Sequence, residues 1–222
     1  MKVCTDACVF GAHVAEHISK ESLQVGNILD IGTGTGLLSV MLAQITTAKI
    51  DAIEIDAFAA AQAGENFERS PWKERLHVIN INALEFQPGK KYDFIITNPP
   101  FFEDALLSPD EGKNKAKHDT GLTLEELLMV SDHHLADGGL FAVLLPYHRA
   151  NYFITTAQEY KLRLVKKLLL QHTTKHPWFR AVLYFTREPV MDVAEEELTI
   201  KNVEGNYTNA FTKLLKDYYL DF

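Results

Sequence analysis

Hydrophobic and polar positions along this chain alternate between two periods. Continuous short apolar runs, Asn27–Ile31, Lys49–Ile55, Leu76–Ile81 and Phe94–Thr97, predict strands covered on both faces of a parallel sheet. Between them lie stretches of helical period, around Asp6–Lys20, Gly36–Gln44 and the alanine-rich Ala57–Arg69. A helix over Leu122–Ala136 follows, opened by a capping box of Thr123 and Glu126 and closed before Gly138-Gly139. A strand over Leu140–Leu145, a helix near Asn151–Glu159 and two β-rich runs, Leu162–Leu170 and Ala181–Thr186, complete the pattern. Pro177 lies between the last two, so they are expected to form an antiparallel hairpin at one sheet edge. The alternation predicts an α/β, Rossmann-like fold: a mostly parallel, doubly wound sheet whose ligand sits at the carboxyl ends of the strands.

Composition narrows the setting. At 222 residues and 46% hydrophobic, the chain is expected to form a single domain over 1–222, with 190–222 as a C-terminal strand and helix appendage. It has no apolar run of membrane-spanning length and no signal-peptide pattern, so a cytoplasmic location without membrane association is expected. Cys4 and Cys8 lack Cys-x-x-Cys spacing and read as reduced thiols. The net charge of −8 argues against a broad, sequence-independent nucleic-acid surface. Basic residues nevertheless gather at Lys113, Lys115, Lys117 and His118, an expected RNA contact, and again at Lys166, Lys167, His172, Lys175, His176 and Arg180.

Candidate chemistry lies at the strand ends. The first strand runs into Asp30-Ile31-Gly32-Thr33-Gly34-Thr35-Gly36 and then an apolar helix. Gly32, Gly34 and Gly36 let the backbone approach a ligand, but their spacing is not the Gly-x-Gly-x-x-Gly of a dinucleotide fold. Asp30 suits a cationic group such as the amino group of a methionine moiety and would repel a pyrophosphate. Glu54 can accept two ribose hydroxyls, Ile55 can lie against an adenine ring, and Asn82 with Ala83 can contact that ring's edge.

The fourth strand ends in Asn98-Pro99-Pro100-Phe101. Each proline biases the preceding residue toward extended backbone, which stiffens the chain carrying the Asn98 carboxamide and the Pro99 carbonyl. These two acceptors and the Phe101 ring can converge on one planar amine. Such an amine is a poor nucleophile because its lone pair is delocalised; fixed acceptors on its hydrogens draw the nitrogen toward an attack-ready form without a strong base. The pattern therefore points to methylation of an exocyclic or amide nitrogen, with the aromatic ring stacking on the substrate.

Several stretches together resemble the bacterial tRNA1(Val) adenine N6-methyltransferase family. They are Met1-Lys2-Val3-x-Thr5-Asp6 followed by Gly11-Ala12; Asp30–Leu38; Ala61–Asn66 with Ser70-Pro71-Trp72; and Asn206-Tyr207-x-x-Ala210-Phe211 leading to Tyr218-Tyr219. The resemblance runs over nearly the whole chain, although family members carry further residues, including an aromatic and basic stretch, ahead of the segment matching Met1. It implies a seven-stranded class I fold, S-adenosyl-L-methionine as cofactor with S-adenosyl-L-homocysteine as product, and tRNA as partner, the target being the adenine at position 37. It further implies that segment 1–20 lies over the cofactor with Thr5 and Asp6 near its methionine end. Asp30, Gly32, Gly34 and Glu54 would grip the cofactor, and Asn98–Phe101 would hold the adenine. No metal and no obligate protein partner are implied.

Alternatives remain open on the residues alone. The same Asn-Pro-Pro-aromatic end suits a guanine N2 in ribosomal RNA, an adenine N6 in DNA, or a release-factor glutamine N5. A strand, glycine loop and later acid are also common to nicotinamide-dependent oxidoreductases and non-catalytic nucleotide-binding modules. His13-Val14-Ala15-Glu16-His17 matches the His-x-x-Glu-His of inverted zinc peptidases, but lacks an evident third ligand.

Overall fold

A computed structural model describes residues 4–100 and 122–221. Strands β1 (Asn27–Ile31), β2 (Lys49–Glu54), β3 (Leu76–Asn80), β4 (Tyr92–Thr97), β5 (Leu135–Pro146), β6 (Arg163–Gln171), β7 (Trp178–Thr186) and β8 (Ala194–Thr199) form one sheet in the order β3-β2-β1-β4-β5-β7-β6-β8. The first five are mutually parallel, and β7 runs antiparallel to both β5 and β6. Successive crossovers run outward in opposite directions from β1 and β4, so a switch point opens between them at their carboxyl ends, where open α/β sheets bind ligands.

Helices cover both faces. On one, α1 (Thr5–Lys20), α2 (Leu37–Ile45), α3 (Ala57–Glu68) and the short α6 (Asn209–Leu215) pack around Phe10, Leu42, Phe67 and Phe211. On the other, α4 (Leu124–His134) and α5 (Tyr147–Ala157) pack Leu127, Leu128 and Phe153 against Phe141 and Phe185 of the sheet. The capping box that starts α4 is formed: the Glu126 amide donates to Thr123 Oγ1 at 3.1 Å and the Thr123 amide to Glu126 Oε2 at 2.8 Å. No helix among the described residues is long and apolar enough to cross a membrane.

The sheet departs from expectation in three places. It has eight strands, and the antiparallel hairpin is not its edge, because β8 pairs in parallel with β6 outside it. The run Ala194–Thr199 carries three consecutive glutamates, a poor strand signal in isolation. It becomes a strand because Lys167 and Lys166 on β6 pair with Glu195 and Glu196 at 2.9 Å each, while Leu198 is buried. Secondly, β5 starts at Leu135 and runs through Gly138-Gly139, which were expected to close the preceding helix. A Cβ on Gly139 would lie 3.0 Å from the Ala136 carbonyl and 3.2 Å from that of Asp93, so this glycine permits close approach of β5 to β4. Thirdly, the helix expected near Asn151 begins at Tyr147, directly after Pro146.

Helix α1 is buried along most of its length, and Gly11 packs directly against α2: a Cβ there would fall 2.6 Å from Met41 Sδ. His13 ties the helix to the far side of the sheet, with Nδ1 2.6 Å from the Tyr184 hydroxyl and Nε2 2.8 Å from Glu196 Oε2. Both imidazole nitrogens are thus engaged by protein groups, and the described residues contain no cluster of three His, Cys, Asp or Glu side chains placed to hold a metal.

Two other histidines set an acid limit. Burial, aided by neighbouring positive groups, lowers the pKa of His17 and of His134 from 6.5 to about 4. An unfolded chain takes up these protons near 6.5 and the folded one only near 4, so the stability arising from neutral imidazoles is present above 6.5 and is lost as pH falls toward 4. His134→Phe should flatten the decline of the urea midpoint between pH 6.5 and 4; a decline as steep as the parent's would remove His134 as a cause.

Candidate active site

The carboxyl end of β1 carries the first half of the site. Beyond Ile31 the backbone turns at Gly32 with φ of 69°, a conformation that disfavours any side chain. The Gly32 and Thr33 amides donate to the Ile53 carbonyl at 2.9 and 3.1 Å, which pins the loop to β2. At Gly36 (φ 82°) a Cβ would meet Phe67 Cε1 at 2.4 Å, so the loop can seat against α3 only as glycine. Asn66 Nδ2 donates to the Thr35 carbonyl at 2.8 Å and fixes the far side of the turn.

Asp30 is fully buried beneath this loop. Its Oδ2 accepts from Thr33 Oγ1 at 2.6 Å and Ser39 Oγ at 2.7 Å, whereas Oδ1 is buried with no hydrogen-bond partner among the described residues. Burial raises its pKa to about 6; the Thr33 and Ser39 hydrogen bonds oppose the rise, and the charge of Glu54 adds to it. A carboxylate that has lost water and kept a vacant lone pair is a site for a cationic or hydrogen-bond-donating group.

At the end of β2, Glu54 accepts the Gly34 amide on Oε2 at 2.8 Å and the Asp56 amide on Oε1 at 2.9 Å. Each oxygen keeps a further lone pair, so a carboxylate already fixed in place can still take a pair of hydroxyls. Asn80, at the end of β3, donates to the carbonyls of Glu54 and Ile55 at 2.8 and 3.0 Å and holds the backbone that presents Ile55, which is 52% exposed. Asn82 Oδ1 accepts the Leu84 amide at 3.0 Å and caps a 3-10 turn containing the buried Ala83, leaving the Asn82 NH2 as a donor.

The second half lies at the end of β4. Thr97 pairs with Ile31 in the parallel ladder and donates from Oγ1 to the Ile31 carbonyl at 2.8 Å, so Asn98 comes level with the first glycine of the loop. Pro99 is buried and Pro100 exposed. Asn98 Oδ1 is buried and has no partner among the described residues, a second orphaned acceptor at the same end of the sheet. Phe101 and the basic group Lys113, Lys115, Lys117 and His118 lie outside the described residues.

Thr5 and Asp6 form the first turn of α1. Asp6 Oδ2 accepts from Arg180 Nε at 2.9 Å, and Arg180 stands opposite Pro146 at the carboxyl end of β5, so this turn is anchored on the site edge. Near Thr5, burial pushes the pKa of the Tyr219 hydroxyl up to about 12. The sequence reading missed Thr33, Ser39, Asn66 and Asn80. Ser39 carried a usable signal, because it is the one hydroxyl in the apolar run Leu37–Ala43.

Residues 2–156 match the methyltransferase small domain family. A tRNA1(Val) (adenine(37)-N6)-methyltransferase from Dyadobacter fermentans is 43% identical over 226 aligned positions, covering 100% of this chain and 92% of that protein. Among solved structures, a protein from Agrobacterium tumefaciens predicted to be an O-methyltransferase superposes with a TM-score of 0.69 at 13% identity, covering 94% of this chain and 95% of that one. A Listeria monocytogenes protein assigned to the class I S-adenosylmethionine-dependent methyltransferases gives 0.66 at 13% identity, covering 86% and 64%. The two structural likenesses establish the fold.

The buried carboxylate makes a prediction independent of any ligand. Its raised pKa means that the charged form opposes folding above pH 6 and that protonation relieves this as pH falls toward 3.8. Asp30→Asn, with the amide oxygen toward Thr33 and Ser39, should therefore be at least as stable as the parent at pH 8 without ligand, by up to about 2 kcal/mol. Urea unfolding checks this, and a clear loss of stability would mean that the charge is compensated in the folded chain.

Proposed function

We propose that this chain, which belongs to the tRNA1(Val) (adenine(37)-N6)-methyltransferases within the methyltransferase small domain family, methylates N6 of the adenine at position 37 of that tRNA, with S-adenosyl-L-methionine as methyl donor. The observation that carries this reading is the pair of buried acceptors without a partner among the described residues, Asp30 Oδ1 and Asn98 Oδ1, at adjoining strand ends on either side of the switch point.

The residues fit the donor. Asp30 would receive its amino group, Gly32 and Gly34 would allow close backbone approach, and Glu54 would accept its ribose hydroxyls. Ile55 would lie on the adenine ring, with Asn82 and Ala83 at that ring's edge. Thr5 and Asp6 would close over the methionine end as part of segment 1–20, and Gly36 would hold the loop against α3. When bound, S-adenosyl-L-methionine supplies an electrophilic methyl group on sulfur.

On the acceptor side, Asn98 Oδ1 and the Pro99 carbonyl would each take one hydrogen of the adenine amine and draw the nitrogen lone pair out of conjugation. Pro100 stiffens the carbonyl that does this, and Phe101 would stack on the base once it has left the loop stack. The proton displaced on nitrogen passes to solvent after the new bond forms, so no residue need act as a strong base. Positioning supplies most of the acceleration.

Asn98→Ala should leave S-adenosyl-L-homocysteine affinity within about twofold while cutting turnover on tRNA by roughly 10²-fold or more. Calorimetry and single-turnover methyl transfer measure the two, and near-normal turnover would overturn the role of Asn98. Cofactor binding should also respond to acid: because burial raises the Asp30 pKa to about 6, affinity for S-adenosyl-L-homocysteine should fall as pH drops below 6. In Asp30→Asn that dependence should vanish along with most of the affinity. A pH dependence that survives in Asp30→Asn would assign it to another group.

A further inference from the structure

The turn joining β6 to β7 gathers aromatic and basic side chains that the site above does not use. His172 lies flat on Phe179, with ring centroids 4.0 Å apart and planes at 11°, and His176 stands edge-on to His172 at 6.2 Å. His172, Lys175 and His176 are exposed, whereas Phe179 is partly buried and backs the stack. On the strand beyond, the Lys201 amide donates to the His172 carbonyl at 2.9 Å, and Lys201 Nζ sits 4.9 Å above the Tyr207 ring. On the other side Pro146 pairs with Arg180, which brings the exposed Arg149 of α5 to the same edge.

Charge on this edge is distributed selectively. The basic residues grouped by sequence divide in two: Lys166 and Lys167 are neutralised by Glu196 and Glu195 along the strand, and Arg180 is held by Asp6. Lys175, Lys201 and Arg149 form no ion pair among the described residues. No acidic residue occurs in 146–152 or 171–187, although the chain as a whole carries −8. A turn free of acids in an acidic protein, with stacked rings set among its cations, has the composition of a single-stranded nucleic-acid surface.

Position supplies the remaining constraint. The ladder runs β4-β5-β7-β6, so the His172 stack lies three strand spacings, roughly 14 Å, across the sheet from β4, and the register that sets Thr97 level with Val143, Leu183 and Lys167 carries it a further ~13 Å beyond Asn98, about 20 Å away in all. That is within reach of a few unpaired nucleotides. Resting on the tRNA methyltransferase reading, we propose that this edge binds the loop nucleotides flanking the target adenine. A neighbouring base stacks on the His172–Phe179 pair, and Lys175, Lys201 and Arg149 contact the phosphates.

The test uses the full-length protein and a fluorescein-labelled anticodon stem-loop of tRNA1(Val), with affinity read by anisotropy across a KCl series. Lys175→Glu should weaken binding and lower the slope of log affinity against log salt by about one. His172→Ala should weaken it about tenfold with the slope retained. In both, S-adenosyl-L-homocysteine affinity should be unchanged, and methyl transfer should show a raised KM with kcat kept at saturating RNA. Parental stem-loop affinity and salt slope in both variants would overturn the surface while leaving the enzyme assignment intact. If His172→Ala also loses S-adenosyl-L-homocysteine binding, Lys175→Glu, on the exposed turn, decides alone. Absence of stem-loop binding and methylation by the parent protein would instead overturn the tRNA reading, and this surface with it.

Discussion

The structure is organised around a carboxylate taken out of water and left incompletely paired. Asp30 sits at the end of a central strand, with one oxygen held by Thr33 and Ser39 and the other orphaned. An arrangement of this kind costs folding free energy, because desolvation favours the neutral acid. The glycine loop fixed to the Ile53 carbonyl, the amides on Glu54 and the Asn66 bond to Thr35 all hold that loop over the buried group. Opposite it, Thr97 bonds across to Ile31 and sets the height at which Asn98 leaves β4. The glycine loop and Asn98 therefore stand side by side at the carboxyl ends of adjoining parallel strands, and their separation is fixed by backbone register.

Much of this was legible in the sequence because it depends on local pattern. Apolar runs of strand length, separated by helical periods, place β1 to β4 within two residues at each end, while β5 begins five residues before its expected start. The Thr123–Glu126 capping box is formed as read. The glycine loop and the Asn98 strand end were visible because their residue types make sense only at carboxyl ends of buried strands. What escaped depends on pairing between distant segments. A strand was expected within 190–222 but not its partner: Lys166 and Lys167 supply the countercharges that seat Ala194–Thr199 beside β6, which turns the expected edge hairpin into an interior pair. Gly138-Gly139 reads as a helix stop, but serves the close approach of β5 to β4. Thr33 and Ser39 look ordinary until Asp30 is seen to need donors, and the His172–Phe179 stack exists only once the β6–β7 turn has formed.

The antiparallel half of the sheet extends the ladder that forms the site and carries its carboxyl edge outward. Helix α1 is locked across it by His13, between Tyr184 and Glu196, and its first turn is anchored at the site edge by Arg180. Phe179 and Tyr207 pack against the same cluster as α1, while His172, Lys175 and His176 on the adjoining turn are exposed. On the proposed reading, the small cofactor and the polynucleotide would be held by opposite halves of one sheet, joined through β4 and β5.

The central claim is that the amine approached by Asn98 is N6 of an adenine in tRNA. Incubating the purified protein with isotopically labelled S-adenosyl-L-methionine and total tRNA from a strain deleted for this gene, followed by nucleoside mass spectrometry, tests it most directly. The account predicts labelled N6-methyladenosine confined to the valine tRNA, at the position next to the anticodon. Label in another nucleoside, or unmodified tRNA in the presence of bound cofactor, would contradict it and move the substrate to a different planar nitrogen.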